Sequence, residues 1–453
     1  MHRFVADAVA NVYSLTHPET VGRTAKIAKY AQEMKVAVVG GGSTYTPELV
    51  DGFARLRGSG VDVGELTLID PAIDRLEVVG PFAARIFDHY AHPGRVTWTA
   101  DLDAGLDGAA VVIVQLRVGG QAARISDETF PLDCGRVGQE TTGAGGLAKA
   151  LRTVPVVLDV AERARRLAAP DAWIVDFTNP VGIVTRALLD AGHRAVGLCN
   201  VAIGFQRRFA AMFGVEPDAV TLDHLGLNHL TWERAVRVNG VDRLPELLAG
   251  HLDEIAAEVR LPPALIGTLG CVPSYYLRYF YCHDEVVRQE RGTATRGQRV
   301  AEIEAELLRM YADATLTTKP ALLGERGGAF YSEAAVSLVA SLSGAATGPH
   351  SANVRNMGTL PFLPDTAVIE VTCRVDERGP APVPVGPVAP DQAGLIAAVS
   401  GYEELAIDAA LRGGRERVYR ALLAHPLIAQ HEYADALTDK LLAANAAHLA
   451  WAR

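Results

Sequence analysis

The sequence predicts an α/β protein, with a Rossmann-type doubly wound parallel sheet followed by a C-terminal mixed α/β domain. Three observations predict this fold. An apolar, β-branched run over 35–43 (KVAVVGGGS) ends in glycines, and further apolar runs alternate with helical segments as far as residue 200. Short strand-like runs then mix with long amphipathic helices. We therefore divide the chain into an extension (1–33), disordered or the result of an early translation start, and two domains, 34–200 and 201–453.

Composition excludes several classes of protein. The chain has 453 residues, 49% hydrophobic and 21% charged, as in soluble globular proteins. A net charge of −10 disfavours nucleic acid as a partner, and no apolar run approaches the roughly 20 residues that span a bilayer. The cysteines are odd in number and form no CxxC pair, which favours a reduced, cytoplasmic compartment.

The first strand–turn–helix unit is a candidate dinucleotide site. Gly40 and Gly42, with Ser43, would let the backbone approach a pyrophosphate at the start of the helix. The next strand (ELTLID) ends at Asp70, whose carboxylate can accept hydrogen bonds from the ribose hydroxyls of NAD and would repel the extra phosphate of NADP. Tyr45 replaces the third glycine of the fingerprint. The unit predicts that 34–200 binds NAD, with an ordinary tight turn as the alternative.

Three further buried strands are expected, over 109–115 (AAVVIVQ), 173–180 (WIVDFTNP) and 195–200 (AVGLCN). The connection over 116–155 is long and rich in Gly, Arg and acidic residues, which is typical of a functional loop. Residues 379–391 are rich in proline, so we expect a surface crossing and neither a central strand nor a helix.

Cys199 and His229 form a candidate metal site. Cys199 would lie at the carboxyl end of its strand, where open α/β sheets carry their chemistry. A thiolate and an imidazole on separate elements can share one divalent metal and leave positions open for a substrate. The alternative is that both are core residues. A thiolate ligand alone would favour zinc.

Several motifs occur together along the chain: GGGSTYTPEL, RVGGQAAR, GQETTGAGG, DFTNPVGIVTRAL, GLCN, GLNH, SYYLRY, RGGAFYSEAA and NMGTLPFLPDTAVIEV. In this order they resemble glycoside hydrolase family 4, the NAD-dependent glycosidases, and most closely its branch acting on 6-phospho-β-glucosides. The resemblance covers residue 35 nearly to the C-terminus. It implies a lactate/malate-dehydrogenase-like Rossmann domain, NAD and Mn²⁺ as cofactors, a phosphorylated sugar substrate and a homodimer or homotetramer.

The resemblance also implies a mechanism that departs from the usual pair of carboxylates. Carbon 3 of the sugar is oxidised by hydride transfer to NAD⁺, which acidifies the proton on carbon 2. A base removes that proton, the aglycone leaves from carbon 1, water adds, and the hydride returns.

Residue roles follow from the same resemblance. Cys199 and His229 would hold the metal ion, whereas His224 is a structural histidine. Tyr276 would be the base, with Tyr275 as its competitor, and a nearby cation would lower its pKa. Glu140 would accept a hydrogen bond from the phenol.

Four side chains match substrate-contacting positions: Arg124, Asn179, Asn200 and Arg296. The planar guanidinium of arginine suits phosphate oxygens, and Arg299 is an alternative to Arg296. Arg326 is expected near the site without an assigned contact. Asn200 follows the cysteine ligand, and in this family Cys-Asn accompanies β-glucoside enzymes.

Three competing functions remain open from the sequence. A family relative could act on an unphosphorylated glycoside, as an α-galactosidase or α-glucuronidase does, because a carboxylate can also use the arginines. A plain 2-hydroxy-acid dehydrogenase could share the fold, but the Cys199/His229 pair and the missing His-Asp relay disfavour it. A non-catalytic sugar-binding regulator would not need Tyr276 or Cys199.

Overall fold

The computed structural model describes residues 34–57, 61–328 and 330–452. The predicted extension over 1–33 lies outside the described residues. Within them, the strands form one mixed sheet in the order β10-β8-β7-β12-β11-β6-β5-β4-β1-β2-β3, with β13 beside β12 and β9 beside β8. The strands are β1 Met34–Val39, β2 Val63–Ile69, β3 Arg95–Thr99, β4 Val111–Val114, β5 Trp173–Asp176, β6 Ala195–Gly197, β7 Val220–Leu227, β8 Leu230–Val238, β9 Val241–Asp242, β10 Val272–Pro273, β11 Gly348–Arg355, β12 Val368–Asp376 and β13 Gly379–Pro382.

The sheet has a parallel part and an antiparallel part. Strands β1 to β6 pair in parallel, in the doubly wound arrangement predicted for the first half. Strand β11 then pairs with β6 in antiparallel fashion through Asn353 and Gly197, and β12, β7, β8 and β10 continue the sheet. The second half of the chain therefore extends the sheet of the first half.

Helices cover the sheet and alternate with the parallel strands. None of those in the described part of the chain has the length and apolar character that crossing a membrane requires. The helices are α1 Thr46–Arg55, α2 Ile73–His89, α3 Leu102–Leu106, α4 Gly120–Thr129, α5 Gly143–Leu167, α6 Val181–Asp190, α7 Val201–Phe213, α8 Leu244–Gly250, α9 Leu252–Val259, α10 Pro263–Leu269, α11 Arg278–Tyr281, α12 His283–Glu290, α13 Arg296–Tyr311, α14 Tyr331–Leu342, α15 Pro390–Arg412, α16 Arg415–Ala424 and α17 His431–Asn445.

Two segments differ from the sequence predictions. The polar connection over 116–155 was expected as a loop but is largely helical. It contains α4 and the first half of α5, whose small residues are buried. The proline-rich segment begins as the short strand β13 at the edge of the sheet, where proline is tolerated because no further strand needs its missing N–H.

Candidate active site

A cleft of about 1450 Å³ lies at the carboxyl ends of the parallel strands. One end is lined by the turn after β1, and the other by Tyr276 and by side chains from α4, α5 and α13. Both halves of the chain therefore contribute to the same cleft, at the position where open α/β sheets bind their ligands.

The turn after β1 has the geometry of a dinucleotide site. Gly40 has φ +90°, and a Cβ on it would lie 2.7 Å from the carbonyl oxygen of Gln115. A Cβ on Gly42 would lie 3.0 Å from the carboxyl group of Asp70, which accepts the Gly42 N–H at 3.0 Å. Glycines at these positions bring the backbone, Ser43 and Asp70 together on the cleft wall.

Arg326 holds this turn from the other half of the chain. Its guanidinium donates to Thr44 Oγ1 at 2.8 Å, to Ser43 Oγ at 3.3 Å and to Glu304 at 3.0 Å. The Tyr45 hydroxyl donates to the carbonyl of Gly328. The sequence placed Arg326 near the site without a contact, and the structure gives it one at the dinucleotide turn.

Cys199 lies between β6 and α7 and is 4% exposed. Burial and the Glu370 carboxylate raise the pKa of its thiol, while the backbone N–H groups of Asn200 and Val201 and the Asn228 side chain lower it. The chain alone therefore keeps the thiol protonated. A bound cation would release that proton, and the N–H groups at the start of α7 would stabilise the thiolate.

His229 occupies the two-residue turn of the β7–β8 hairpin, next to Asn228. Its backbone has φ +63°, a left-handed conformation that few non-glycine residues adopt. Nδ1 contacts Thr141 Oγ1 at 2.9 Å, and among the described residues Nε2 makes no hydrogen bond. Burial lowers the pKa of His229 to about 4, so the imidazole is neutral, as a metal ligand must be.

Tyr276 connects these residues to the cleft. Its ring stacks on that of His229 with centroids 3.6 Å apart, and it lines the cleft, whereas Cys199 and His229 lie buried behind it. Burial and then Cys199 raise the pKa of Tyr276, so the chain alone favours the protonated phenol, and a bound cation would favour the phenolate. The competing Tyr275 accepts a hydrogen bond from Arg278 at 2.8 Å, whereas in the described part of the chain the Tyr276 hydroxyl makes none.

Glu140 has different partners from the one expected. Its carboxylate bonds Arg117 and Lys149 and contacts Arg124 at 3.1 Å, and no hydrogen bond within the described residues joins it to the Tyr276 phenol. Burial would raise its pKa, but these cations, led by Arg117, hold it well below the usual value. A buried carboxylate is stable only beside such charges. This explains why Glu140 contacts cations and not the phenol of Tyr276.

The predicted substrate residues separate into two groups. Arg124, Asn179 and Arg296 line the cleft, and Oδ1 of Asn179 is buried without a hydrogen-bond partner among the described residues. Asn200 instead precedes α7 beside Cys199. The alternative Arg299 is exposed and pairs with Glu302 and Glu325, away from the cleft.

No cluster of three or more His, Cys, Asp or Glu side chains suited to a metal occurs in the described residues. The predicted pair, Cys199 and His229, would supply two protein ligands and leave positions open for a substrate. The neutral imidazole and the thiol facing backbone N–H groups fit such a cation.

His224 is a structural histidine, as predicted. It lies in β7 below the hairpin turn, with Nδ1 2.6 Å from Glu233 and Nε2 3.0 Å from Glu370. Glu370 also accepts from Asn228 at 2.9 Å, which ties this network to the turn that carries His229. Burial alone would lower the pKa of His224, but the two carboxylates raise it to about 10.

We expect His224→Gln to lower the free energy of unfolding by about 3–5 kcal/mol, because it leaves two buried carboxylates without their cation. The pKa of His224 is raised in the folded state, so its stabilisation is complete below about pH 6.5 and is lost as the pH rises towards 10. Urea unfolding at several pH values would measure both effects. His431→Gln, at an exposed histidine, is the control, and equal stability of the two variants at pH 6 would contradict the prediction.

Sequence reasoning missed several side chains around Glu140 and His229. Lys149 carried a signal, since it is a lone charge in an apolar stretch of helix, and Arg117 stands in a motif whose second arginine was selected. Gln139 and Thr141 stand in the motif GQETTGAGG beside Glu140, but their contacts with each other and with His229 become visible only in the folded chain. These residues line the cleft with the predicted ones.

Known families and structures resemble this chain over most of its length. Residues 35–215 match the family described as "Family 4 glycosyl hydrolase", and residues 224–428 match the "Family 4 glycosyl hydrolase C-terminal domain". A protein of Bacillus subtilis (strain 168) named "Probable 6-phospho-beta-glucosidase" is 35% identical over 431 residues, which is 92% of this chain and 97% of that protein.

Solved structures agree with these matches. The 6-phospho-beta glucosidase of Thermotoga maritima with NAD and glucose-6-phosphate superposes with a TM-score of 0.86 at 33% identity, covering 92% of this chain and 99% of that one. Another form of it contains manganese, NAD⁺ and glucose-6-phosphate, with a TM-score of 0.84. The malate dehydrogenase of Salinibacter ruber matches in fold alone, with a TM-score of 0.50 at 16% identity over 84% of this chain and 98% of that one. The predicted dehydrogenase-like fold is confirmed.

Proposed function

The chain belongs to family 4 of the glycoside hydrolases, and from that premise we propose that it hydrolyses 6-phospho-β-glucosides with NAD and Mn²⁺ as cofactors. The reaction is oxidation at carbon 3, elimination of the aglycone, addition of water and re-reduction. One observation carries the proposal for this chain. A single cleft is lined both by the glycine turn with Asp70 and by Tyr276, Asn179 and several cationic side chains.

The residues present fit both cofactors. Gly40, Gly42, Ser43 and Asp70 would hold NAD, and Cys199 with His229 would hold the metal ion. When bound, NAD⁺ would take up and return the hydride of carbon 3, and Mn²⁺ would polarise the oxygens on carbons 2 and 3.

In this proposal Tyr276 removes the proton from carbon 2. Tyr276 lines the cleft, and no described residue forms a hydrogen bond with its hydroxyl. Glu140 acts electrostatically here. Its single negative charge offsets part of the positive charge of Arg117, Arg124 and Lys149 on the cleft wall that Tyr276 shares.

Arginines supply the phosphate site. Arg296 uses one terminal nitrogen on the carbonyl of Glu325 at 2.6 Å, which leaves other N–H groups for a ligand. Arg124 uses its Nε on Glu128 and Glu140. Asn179, whose buried oxygen has no hydrogen-bond partner among the described residues, would accept from a sugar hydroxyl. Asn200 beside Cys199 favours the β-linked substrate.

The proposal extends to setting and assembly. The five cysteines form no disulfide, which supports a reduced, cytoplasmic location. We also propose a homodimer or homotetramer, no nucleic-acid or membrane partner, and a division of labour between an NAD-binding part over 34–200 and a substrate- and metal-binding part over 201–453.

Hydrolysis of p-nitrophenyl β-glucoside and of its 6-phosphate tests the function directly. We expect turnover of the phosphorylated compound that requires NAD⁺, Mn²⁺ and a thiol reductant, and little turnover of the other, because the arginines would lack their anionic partner. Equal rates on both compounds would contradict the phosphate assignment. Activity independent of NAD⁺ would contradict the mechanism.

A further inference from the structure

Gln139 and Thr141 precede α5 and line the cleft, and the hydroxyl of Thr141 contacts the imidazole of His229. We propose that they are a positioning pair that fixes the tautomer of His229, with the hydrogen on Nδ1 and the lone pair of Nε2 presented to the divalent cation. The inference rests on the proposed function, in which His229 is a metal ligand.

A backbone N–H determines which way the side-chain amide of Gln139 points. The N–H of Thr141 lies 2.5 Å from Oε1 of Gln139. Since a backbone N–H can only donate, the amide atom that faces it is the oxygen and not the NH₂ group. The hydroxyl of Thr141 lies 3.0 Å from the same oxygen. That oxygen can only accept, so the single hydroxyl hydrogen of Thr141 points to Gln139.

The hydroxyl then has only lone pairs left for His229. Its oxygen lies 2.9 Å from Nδ1, and the contact is a hydrogen bond only when Nδ1 carries a hydrogen. A neutral imidazole has one N–H, so Nε2 is left with its lone pair. Metal-bound histidines commonly have this arrangement, with the second ring nitrogen donating to a fixed acceptor.

The backbone that carries the pair is closely packed. A Cβ on Gly145 would lie 2.3 Å from the carbonyl oxygen of Gln139, and a Cβ on Gly146 would lie 2.7 Å from the carbonyl carbon of Thr141. Glycines at the start of α5 therefore allow the segment to sit against the helix. Gln139 also contacts the hydroxyl of Tyr279 at 3.5 Å. Packing and contacts at both ends of the pair hold the acceptor in place before any metal arrives.

Thr141→Val tests the inference, because valine keeps the β-branched shape and removes the hydroxyl. We expect the dissociation constant for Mn²⁺ alone, measured by electron paramagnetic resonance of the free ion in the full-length protein, to rise about 10–100-fold. Thr141→Ser should restore most of the affinity. Thr142→Val is the matched control, since the side chain of Thr142 caps nothing at the start of α5 and does not line the cleft.

A second measurement reads the tautomer without metal. In protein with ¹⁵N-labelled histidine, with the His229 signals assigned by difference from His229→Gln, we expect the Nδ1–H form in wild type and a mixture in Thr141→Val. Mn²⁺ affinity unchanged in Thr141→Val, or an Nε2–H form in wild type, would overturn the inference. A wild-type protein that holds the Nδ1–H form but takes up no Mn²⁺ would support the tautomer and overturn the metal assignment instead.

Discussion

Cys199→Ser is expected to lower Mn²⁺-dependent hydrolysis of a 6-phospho-β-glucoside by about three orders of magnitude or more. Lewis-acid polarisation by a metal contributes several kcal/mol to a transition state, and each 1.4 kcal/mol is tenfold in rate. In the proposed site Cys199 and His229 are the two protein ligands, so the loss of one would leave the ion held by His229 alone. A serine hydroxyl does not replace the thiolate, because it stays protonated at neutral pH. Activity measured across a Mn²⁺ titration would show the loss.

Cys373→Ser is the matched control for this variant. Cys373 is also a fully buried cysteine, and it lies in β12, where its thiol donates to a backbone carbonyl, as a serine can. We expect it to retain its Mn²⁺ dependence. A Cys199→Ser protein with the wild-type rate and the wild-type Mn²⁺ requirement would show that the thiol is not a ligand.

Tyr276→Phe is expected to lower kcat by about 10²–10⁴-fold, the usual contribution of a positioned general base. Phenylalanine keeps the stacking on His229, so the metal ligands stay in place while the proton acceptor is lost. The direct measurement is exchange of the carbon 2 proton with solvent deuterium, which should slow together with hydrolysis.

Tyr275→Phe separates the two neighbouring tyrosines. The Tyr275 hydroxyl accepts a hydrogen bond from Arg278, so Tyr275→Phe removes that hydrogen bond from the cleft wall. It leaves the proposed base, Tyr276, in place. Proton exchange that fails in Tyr275→Phe but persists in Tyr276→Phe would reverse the assignment of the base.

Local sequence patterns predicted the strands and turns that are formed by residues close together in the chain. The run KVAVVGGGS predicted β1 and its turn, and ELTLID predicted β2 with Asp70 at its end. By contrast, β11 reads GPHSANVR, a strand without an apolar alternation, and it was not predicted. It is stabilised by its full ladder with β12, which no local pattern reveals.

The candidate site depended more on long-range contacts. The β7–β8 hairpin packs beside β12, and its turn places His229 against the ring of Tyr276. Cys199 reaches the neighbourhood of Tyr276 from a different element, the end of β6. Motif resemblance identified these residues, but it could not supply their partners. The cations around Glu140 come from three separate parts of the chain, and the sequence alone does not show which of them pair with its carboxylate.

The junction between β6 and β11 limits how far the two halves can be treated as interchangeable modules. It consists of one residue pair, and a Cβ on Gly197 would lie 2.9 Å from that of Asn353 and 2.2 Å from Thr185 Oγ1. A chimera that took its front half from one relative and its rear half from another would have to inherit this fitted contact intact, or expose a bare strand edge that invites aggregation. Recombination within such enzymes should therefore favour crossovers that keep both sides of the junction from a single parent.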